Sequence, residues 1–230
     1  MNYKIILDET KLKDFIDWLP DLKNDECYYL TLFSRKKYCN TLSGDKQCLK
    51  RLTTNKEYMF DKIKQLECEI GCYKQNGNPI PQEALALYIT INPRSYVKAT
   101  VNVLKKFIDI ILQEYNDYNP HQLVLSEIQT AKSKTIFYDI DFDNVQFDII
   151  KDEIINKNII NPDCLYVLHT RGGFHLLVEI EKISNEFKKS WYKNITNLSG
   201  IDVTNSDLMP IPGCHQGGFT PYFEKFFIIK

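Results

Sequence analysis

The amino-acid sequence predicts an α+β protein with a mixed β-sheet. Short apolar runs typical of strands alternate with amphipathic stretches typical of helices, and glycine-containing turns join some strands into hairpins. The chain has 230 residues, 43% of them hydrophobic and 26% charged, which is ordinary for a soluble globular protein with a substantial core. We expect a division near residue 120, between an α/β module of residues 1–120 and a second module of residues 121–230.

The first elements can be read from capping and breaking residues. Asp8 is a suitable N-cap for a helix through Lys11–Leu19, and Pro20 ends that helix. Tyr28–Phe33 has the tyrosine, leucine and threonine content of a strand. The polar stretch that follows is irregular, with two short helical pieces expected at Gln47–Leu52 and Lys56–Leu66.

The middle of the chain holds the strongest apolar strand and the longest helix. Leu85–Ile91 is continuously apolar apart from Thr90, and Ser95 can cap the amphipathic helix that follows. The helical periodicity predicts a stripe facing the core, made of Val101, Leu104, Ile108, Ile111, Leu112 and Tyr115.

The second half of the chain alternates strands and helices again. Val145–Lys157 is helical by pattern, and Ser184–Leu198 is expected to form another helix. Two strands, Cys164–His169 and Phe174–Ile180, flank the turn Thr170-Arg-Gly-Gly173 and should form a hairpin. Pro221–Ile229 is predicted as a closing strand.

The segment Thr135–Asp143 is the first candidate for chemistry. On an extended backbone Asp139 and Asp141 point to the same side, with Cα atoms roughly 7 Å apart. Two such carboxylates can converge on a pair of divalent ions. The alternative is a strand end that surfaces into an acidic turn, and Asp143 fits that role.

The hairpin turn is the second candidate. Gly172 and Gly173 allow a close backbone approach and offer N–H groups to a phosphate, and His175 begins the return strand beside them. Arg171 lies in the same turn. The alternative for His175 is a hydrogen-bonded histidine on the strand surface.

The third candidate combines an acid with a glycine- and proline-rich segment. Asp202 lies between Ile201 and Val203 and could complete a metal site, with Asp207 as the competing acid. The segment Pro210–Gly218, which contains His215, could approach a base or a sugar.

Arginine is scarce and occurs in polar segments beside aromatic residues, proline or glycine. Arginine suits bidentate phosphate contacts, so Arg94 and the basic cluster Arg35, Lys36 and Lys37 are candidates for binding nucleotide or nucleic acid. The net charge of −1 gives no global basic field, although a local groove can still be basic. The seven cysteines are expected to be free thiols, and no zinc site is predicted because Cys68 and Cys72 lack further ligands nearby.

Together the three candidates resemble the archaeo-eukaryotic primase superfamily, and most closely its small primase–polymerase domains from plasmids, phages and other mobile elements. Phe137-Tyr-Asp-Ile-Asp141 is similar to the family's acidic strand motif. Thr170-Arg-Gly-Gly-Phe-His175 is similar to its glycine–histidine turn, with Arg171 where a serine is common. Gly200-Ile-Asp-Val203 and the following Pro210–Gly218 resemble its third motif. The motifs occur in the family's order, 34 residues from Asp141 to His175 and 27 more to Asp202.

The resemblance implies a specific activity. Asp139, Asp141 and Asp202 would hold two Mg²⁺ or Mn²⁺ ions for nucleotidyl transfer, and His175 with Arg171, Gly172 and Gly173 would bind the incoming NTP or dNTP. An RRM-like catalytic sheet would pack on the N-terminal module, with the site between them. The implied partners are a single-stranded DNA template and a separate helicase or zinc-binding primase protein. Removing either strand carboxylate should abolish incorporation and, by relieving repulsion, leave the fold intact.

Three other functions stay open at this stage. A template-independent nucleotidyltransferase would use nearly the same metal chemistry, and a catalytically silent nucleic-acid-binding module would keep the sheet without turnover. A metal-dependent nuclease is a weaker alternative because the chain lacks a His-x-His pair. Without a signal peptide or a membrane-spanning run, the expected location is the cytoplasm, that of the host cell if the chain is viral.

Overall fold

A computed structural model of the chain describes residues 1–113, 119–198, 201–202 and 208–226. The described residues contain six α-helices: α1 (Glu9–Trp18), α2 (Lys56–Lys64), α3 (Tyr96–Leu112), α4 (Pro120–Thr130), α5 (Phe147–Asn156) and α6 (Trp191–Thr196). They also contain twelve strands: β1 (Glu26–Arg35), β2 (Lys46–Thr54), β3 (Lys74–Gln75), β4 (Asn78–Pro79), β5 (Leu85–Thr90), β6 (Arg94–Ser95), β7 (Phe137–Asp143), β8 (Leu165–His169), β9 (Gly173–Glu179), β10 (Ile201–Asp202), β11 (Leu208–Pro210) and β12 (Tyr222–Lys225). The α+β class is confirmed.

Two five-stranded sheets organise the fold. The first has the strand order β11-β5-β1-β2, with β6 paired to β1, and the second has the order β10-β7-β9-β8-β12. Every pair within both sheets is antiparallel among the described residues, so the predicted mixed sheet is not found.

The first sheet is built around β1 and β5, whose apolar side chains are almost entirely buried. The prediction of a helical piece at residues 47–52 was wrong, because this stretch lies inside β2. There Leu52 pairs with Leu30 and Arg51 pairs with Thr31 of β1. Pairing with a fully buried neighbouring strand outweighs a weak local helical preference.

The second sheet is covered on both faces. Helices α5 and α6 pack on one face through Ile150, Ile154 and Ile195. Phe137 and Leu177 on the opposite face share a core with α1 and the first sheet. The two sheets therefore meet through the same face of β7 that carries the predicted acids.

The chain crosses between the sheets near its end. Strand β11 pairs with β5, so Met209 lies opposite Ile89. The first sheet thus combines strands from both sides of residue 120, the position where the sequence predicted a division.

Helix α3 begins where the sequence predicts, because the Ser95 hydroxyl accepts a hydrogen bond from the Lys98 backbone N–H. Its predicted core stripe was wrong for every described member. Those side chains are exposed, and the helix instead buries Ala99 and Val103. Tyr115, the last predicted member, lies outside the described residues.

Three smaller findings complete the description. The helix predicted over residues 184–198 is shorter, since α6 begins only at Trp191 after a series of turns. Cys68 and Cys72 are bonded to each other as a disulfide, so the expectation of free thiols was wrong for this pair. Among the described residues, we find no helix with both the length and the apolar character needed to cross a membrane.

Candidate active site

Strand β7 positions the acids. It pairs with β9 along its whole length, and Ile140 and Phe142 anchor it in the core beneath the second sheet. Asp139 and Asp141 alternate with these apolar residues and point toward the first sheet. The Asp139 side chain is nearly buried, whereas that of Asp141 is 30% exposed. A strand that is paired on both sides therefore holds two carboxylates at the edge of a cavity.

His175 lies directly between these carboxylates. It is the cross-strand partner of Asp141 in the β7–β9 ladder. Its Nδ1 lies 2.9 Å from Asp139 Oδ1, and its Nε2 lies 3.7 Å from Asp141 Oδ1. Burial opposes the charged ring, but the charge and hydrogen bond of Asp139, with smaller contributions from Asp141 and Asp143, raise the pKa of His175 to about 9. At neutral pH an imidazolium therefore balances the carboxylates.

A basic wall, formed by the end of β1, the turn after it and the start of β2, faces the acids. Arg35, Lys37 and Lys46 line the same cavity of about 250 Å³ as Asp139 and Asp141. Burial, followed by the charge of Arg35, lowers the pKa of both lysines. Cations are therefore held together on one side of the cavity and carboxylates on the other. Such a surface suits a ligand that is polyanionic and also binds divalent cations.

A chain of hydrogen bonds joins the hairpin turn to the basic wall. The Arg171 backbone N–H donates to Gln216 Oε1 at 2.9 Å, and Gln216 Nε2 donates to the Tyr38 hydroxyl at 3.1 Å. The Tyr38 hydroxyl lies 3.4 Å from that of Tyr88, which accepts a hydrogen bond from Arg35 Nη1 at 3.1 Å. The two sheets are therefore tied together beside the cavity.

The Arg171 side chain takes part in the same contact. Its guanidinium lies over the Tyr38 ring, 4.9 Å from the centroid. Gly217 passes so close to this pair that a Cβ there would lie 2.4 Å from a Tyr38 ring carbon and 2.6 Å from Arg171 Nη1. Cation–π stacking thereby holds the arginine against Tyr38, and Arg171, although predicted to bind nucleotide, is not among the residues that line the cavity.

The two turn glycines differ in what requires them. A Cβ on Gly173 would lie 1.9 Å from the backbone oxygen of Phe142, so the close pairing of β9 with β7 demands glycine. Gly172 lines the cavity, and a Cβ there would meet only Asp143 Oδ1, at 3.4 Å. Of the two glycines, Gly172 is therefore the one that could contact a ligand bound in the cavity.

Several predicted residues lie elsewhere. Arg94 is fully buried in β6 and does not line the cavity. His215 is also buried, with Nδ1 2.9 Å from the Leu85 carbonyl oxygen and Nε2 accepting from the Gly218 backbone N–H. Both ring nitrogens thus have backbone partners, and burial lowers the pKa of this ring. Lys36 is exposed and is not among the residues that line the cavity.

For Asp202, the predicted third acid, the structure describes only the backbone. In β10, Asp202 pairs with Asp141 of β7, so its backbone lies next to the acidic strand. Its side chain, and all of Asp207, lie outside the described residues. Within the described part of the chain no cluster of three or more histidine, cysteine, aspartate or glutamate residues is arranged to hold a metal ion.

Sequence reasoning missed Lys46, Tyr88 and Leu208 of the cavity lining, and it read Asp143, which also lines the cavity, as a turn residue. It included Gln216 only as part of the candidate segment Pro210–Gly218. Lys46 and Tyr88 reach the cavity because their strands pair with β1, and no local sequence pattern predicts that pairing. Gln216 carried one usable signal, since two glycines follow it and glycine pairs permit close approach.

Comparison with protein-family models, curated proteins and solved structures gives no match.

Proposed function

We propose that this chain is a metal-dependent nucleotidyltransferase of the primase–polymerase kind, which joins nucleotides on a DNA template. The observation that carries the proposal is the meeting of Asp139, Asp141 and His175 with a wall of three cations in one cavity. An antiparallel sheet backed by two helices and packed on a second α/β unit is also consistent with the primase-type, RRM-like core that the motifs resemble.

The donor set fits magnesium or manganese rather than a softer metal. Asp139 and Asp141 offer carboxylate oxygens, the ligands these ions prefer, and none of the described residues that line the cavity is a cysteine. In the proposal Asp202 adds the third carboxylate from the adjacent strand. Bound divalent ions would activate the attacking 3′-hydroxyl and stabilise the leaving pyrophosphate.

The protein's own residues would then have separate tasks. Arg35, Lys37 and Lys46 would bind the polyphosphate of an NTP or dNTP from the first sheet. His175 would hold Asp139 in position and limit repulsion between the carboxylates. This differs from the phosphate-binding role expected from the sequence, because the ring hydrogen-bonds to Asp139.

The test is incorporation of labelled NTPs or dNTPs with Mn²⁺, on single-stranded DNA templates with and without a primer. We expect Asp141→Ala to abolish incorporation while circular dichroism shows an intact fold. Asp152→Ala removes an exposed carboxylate from α5, outside the cavity, and serves as the matched control with activity retained.

Each other outcome points elsewhere. Incorporation that persists in the double variant Asp139→Ala/Asp141→Ala would refute the proposal. Products formed equally without template would indicate a template-independent nucleotidyltransferase. Metal-dependent nucleotide or DNA binding with no product would indicate a binding module.

A further inference from the structure

One buried side chain from the first sheet holds the beginning of the acidic strand. Asn92 Oδ1 accepts hydrogen bonds from two backbone N–H groups, that of Ile136 at 2.7 Å and that of Phe137 at 2.9 Å. Asn92 Nδ2 donates to the Phe137 carbonyl oxygen at 2.8 Å. Asn92 is only 3% exposed, so water does not compete for these bonds. A single amide thus makes three hydrogen bonds to the backbone where β7 begins.

These bonds take the place of a neighbouring strand. On the side of β9, the Ile180 N–H donates to the Ile136 carbonyl oxygen at 3.0 Å. Because successive residues of a strand direct their N–H and C=O groups to opposite sides, those of Phe137 point to the edge of β7 away from β9. Further along, the same edge of β7 pairs with β10. Asn92 therefore acts as the strand partner at the beginning of this edge.

The backbone of Asn92 belongs to the first sheet. It lies in the turn between β5 and β6, and both of these strands pair with β1, which ends in Arg35 of the basic wall. On the other side of the contact, Asp139 follows Phe137 by two residues, or roughly 7 Å along the strand. Asn92 therefore links the sheet that carries the basic wall to the strand that carries the acids.

A second link joins the two sheets at the far end of β7. Gln216 accepts from the Arg171 backbone N–H in the hairpin turn and donates to the Tyr38 hydroxyl beside the basic wall. The hairpin turn adjoins Asp143, the last residue of β7, through the pairing of Asp143 with Gly173. The two acids of the cavity lie between the Asn92 link and the Gln216 link.

We propose that Asn92 is a positioning residue for nucleotidyl transfer, an inference that rests on the proposed function. By fixing the start of β7 against the first sheet, Asn92 sets where Asp139 and Asp141 lie relative to the basic wall. Asn92 is not among the residues that line the cavity, so it acts through the strand and not on the substrate.

This role predicts which binding events depend on Asn92. Mn²⁺ alone needs only the acids, whose spacing is set within β7. A complex of Mn²⁺ with an NTP or dNTP needs the acids for the metal and the basic wall for the phosphates, so it needs the two aligned. Loss of Asn92 should therefore raise the dissociation constant of the complex at least about tenfold and change that of Mn²⁺ alone less than about threefold. The kcat/KM of incorporation should fall by at least the same factor as the affinity for the complex.

The test compares two variants with a matched control, in the full chain. Asn92→Ala removes all three bonds, whereas Asn92→Gln keeps the amide on a longer side chain that can bond to Phe137 only if the strand moves. Asn161→Ala is the control, because its amide also bridges two backbone groups, the Lys182 carbonyl at 3.0 Å and the Ser184 N–H at 2.8 Å, and it does not line the cavity.

Three measurements are made on each protein, with concentrations scaled to the folded fraction from circular dichroism. Electron paramagnetic resonance gives the affinity for Mn²⁺ alone, equilibrium dialysis gives that for the Mn²⁺ complex of a labelled NTP or dNTP, and incorporation gives kcat/KM. Both Asn92 variants should show the selective loss, and Asn161→Ala should match the wild type in all three.

The outcomes distinguish this role from the proposed function. A wild-type chain that incorporates no nucleotide would overturn both. With an active wild type, wild-type affinity for the complex in a folded Asn92 variant would overturn the role of Asn92 alone. An equal loss of affinity for Mn²⁺ alone, or the same loss in Asn161→Ala, would also overturn it, because either would reduce the effect to general destabilisation. If Asn92→Ala does not fold, Asn92→Gln decides.

Discussion

Replacing His175 with alanine is expected to lower the free energy of unfolding by about 2–4 kcal/mol at neutral pH. The imidazolium lies 2.9 Å from Asp139 Oδ1, where attraction between unit charges is about 6 kcal/mol at an effective dielectric constant near 20. The burial penalty of the ring offsets part of this attraction. Breaking a buried pair costs about 3–5 kcal/mol, and the opening to water near Asp141 places the expected cost toward the lower end.

The assay is urea unfolding of His175→Ala, Asp139→Ala and the double variant, in the presence of a chelator. Because each single change leaves one buried charge without its partner, the double variant should be more stable than the sum of the single effects predicts, by about 2 kcal/mol. This revises the sequence-based expectation that removing Asp139 leaves the fold unaffected. His169→Ala with Asp139→Ala is the control pair and should be additive, since His169 interacts with Glu224 instead.

The coupling should also depend on pH. Because the folded-state pKa of His175 is raised above its ordinary value to about 9, its contribution to stability is complete below about pH 6.5. The contribution is then lost as the pH rises toward 9. Additive single effects at about pH 6, or a coupling that is undiminished at about pH 10, would refute the assignment of a charged His175–Asp139 pair.

Two further predictions concern stability. Gly173→Ala should cost about 3 kcal/mol or more in thermal or urea unfolding, because its Cβ would lie 1.9 Å from the Phe142 oxygen, whereas the neighbouring change Gly172→Ala should cost much less. Glu67→Gln should cost about 1–2 kcal/mol at neutral pH, because the Glu67 carboxylate accepts two backbone N–H bonds and pairs with Lys64. Despite partial burial, these bonds lower the pKa of Glu67, so the difference should vanish as the pH falls through and below that lowered pKa; a constant difference would argue against it.

The sequence predicted the acidic strand and its hairpin well because both depend on local rules. Alternation along β7 puts Asp139 and Asp141 on one face, and Gly172 and Gly173 predict the turn before His175. The contact between His175 and the acids depends instead on the pairing of β7 with β9, two strands that α5 and β8 separate in the sequence, so it is a long-range contact. The role of the His175 ring could not be predicted from local rules, because its hydrogen-bond partner Asp139 lies on a different strand.

Long-range placement was less predictable. Periodicity identified α3, but the prediction that its apolar stripe faces the core was wrong, because periodicity does not show which side of a helix the rest of the fold covers. Arg94 looked like a phosphate ligand beside Pro93, yet its strand pairs with β1 and its side chain is fully buried. Lys46 could not be predicted as a site residue, because the extended conformation of β2 depends on its pairing with β1.

The late return of the chain to the first sheet has a consequence for synthesis. Strand β11 pairs with β5 more than a hundred residues earlier in sequence, and Leu208, Pro210 and Gln216 all line the cavity. A nascent chain therefore cannot complete the cavity until residues beyond 216 have left the ribosome. The residues of the basic wall and of the acidic strand are synthesised earlier. The cavity between them is completed only when Leu208, Pro210 and Gln216 have been added. A ribosome-bound chain arrested before residue 208 should consequently hold both sheets only in part and lack the cavity wall that Leu208, Pro210 and Gln216 supply, so that the proposed nucleotide site would be incomplete.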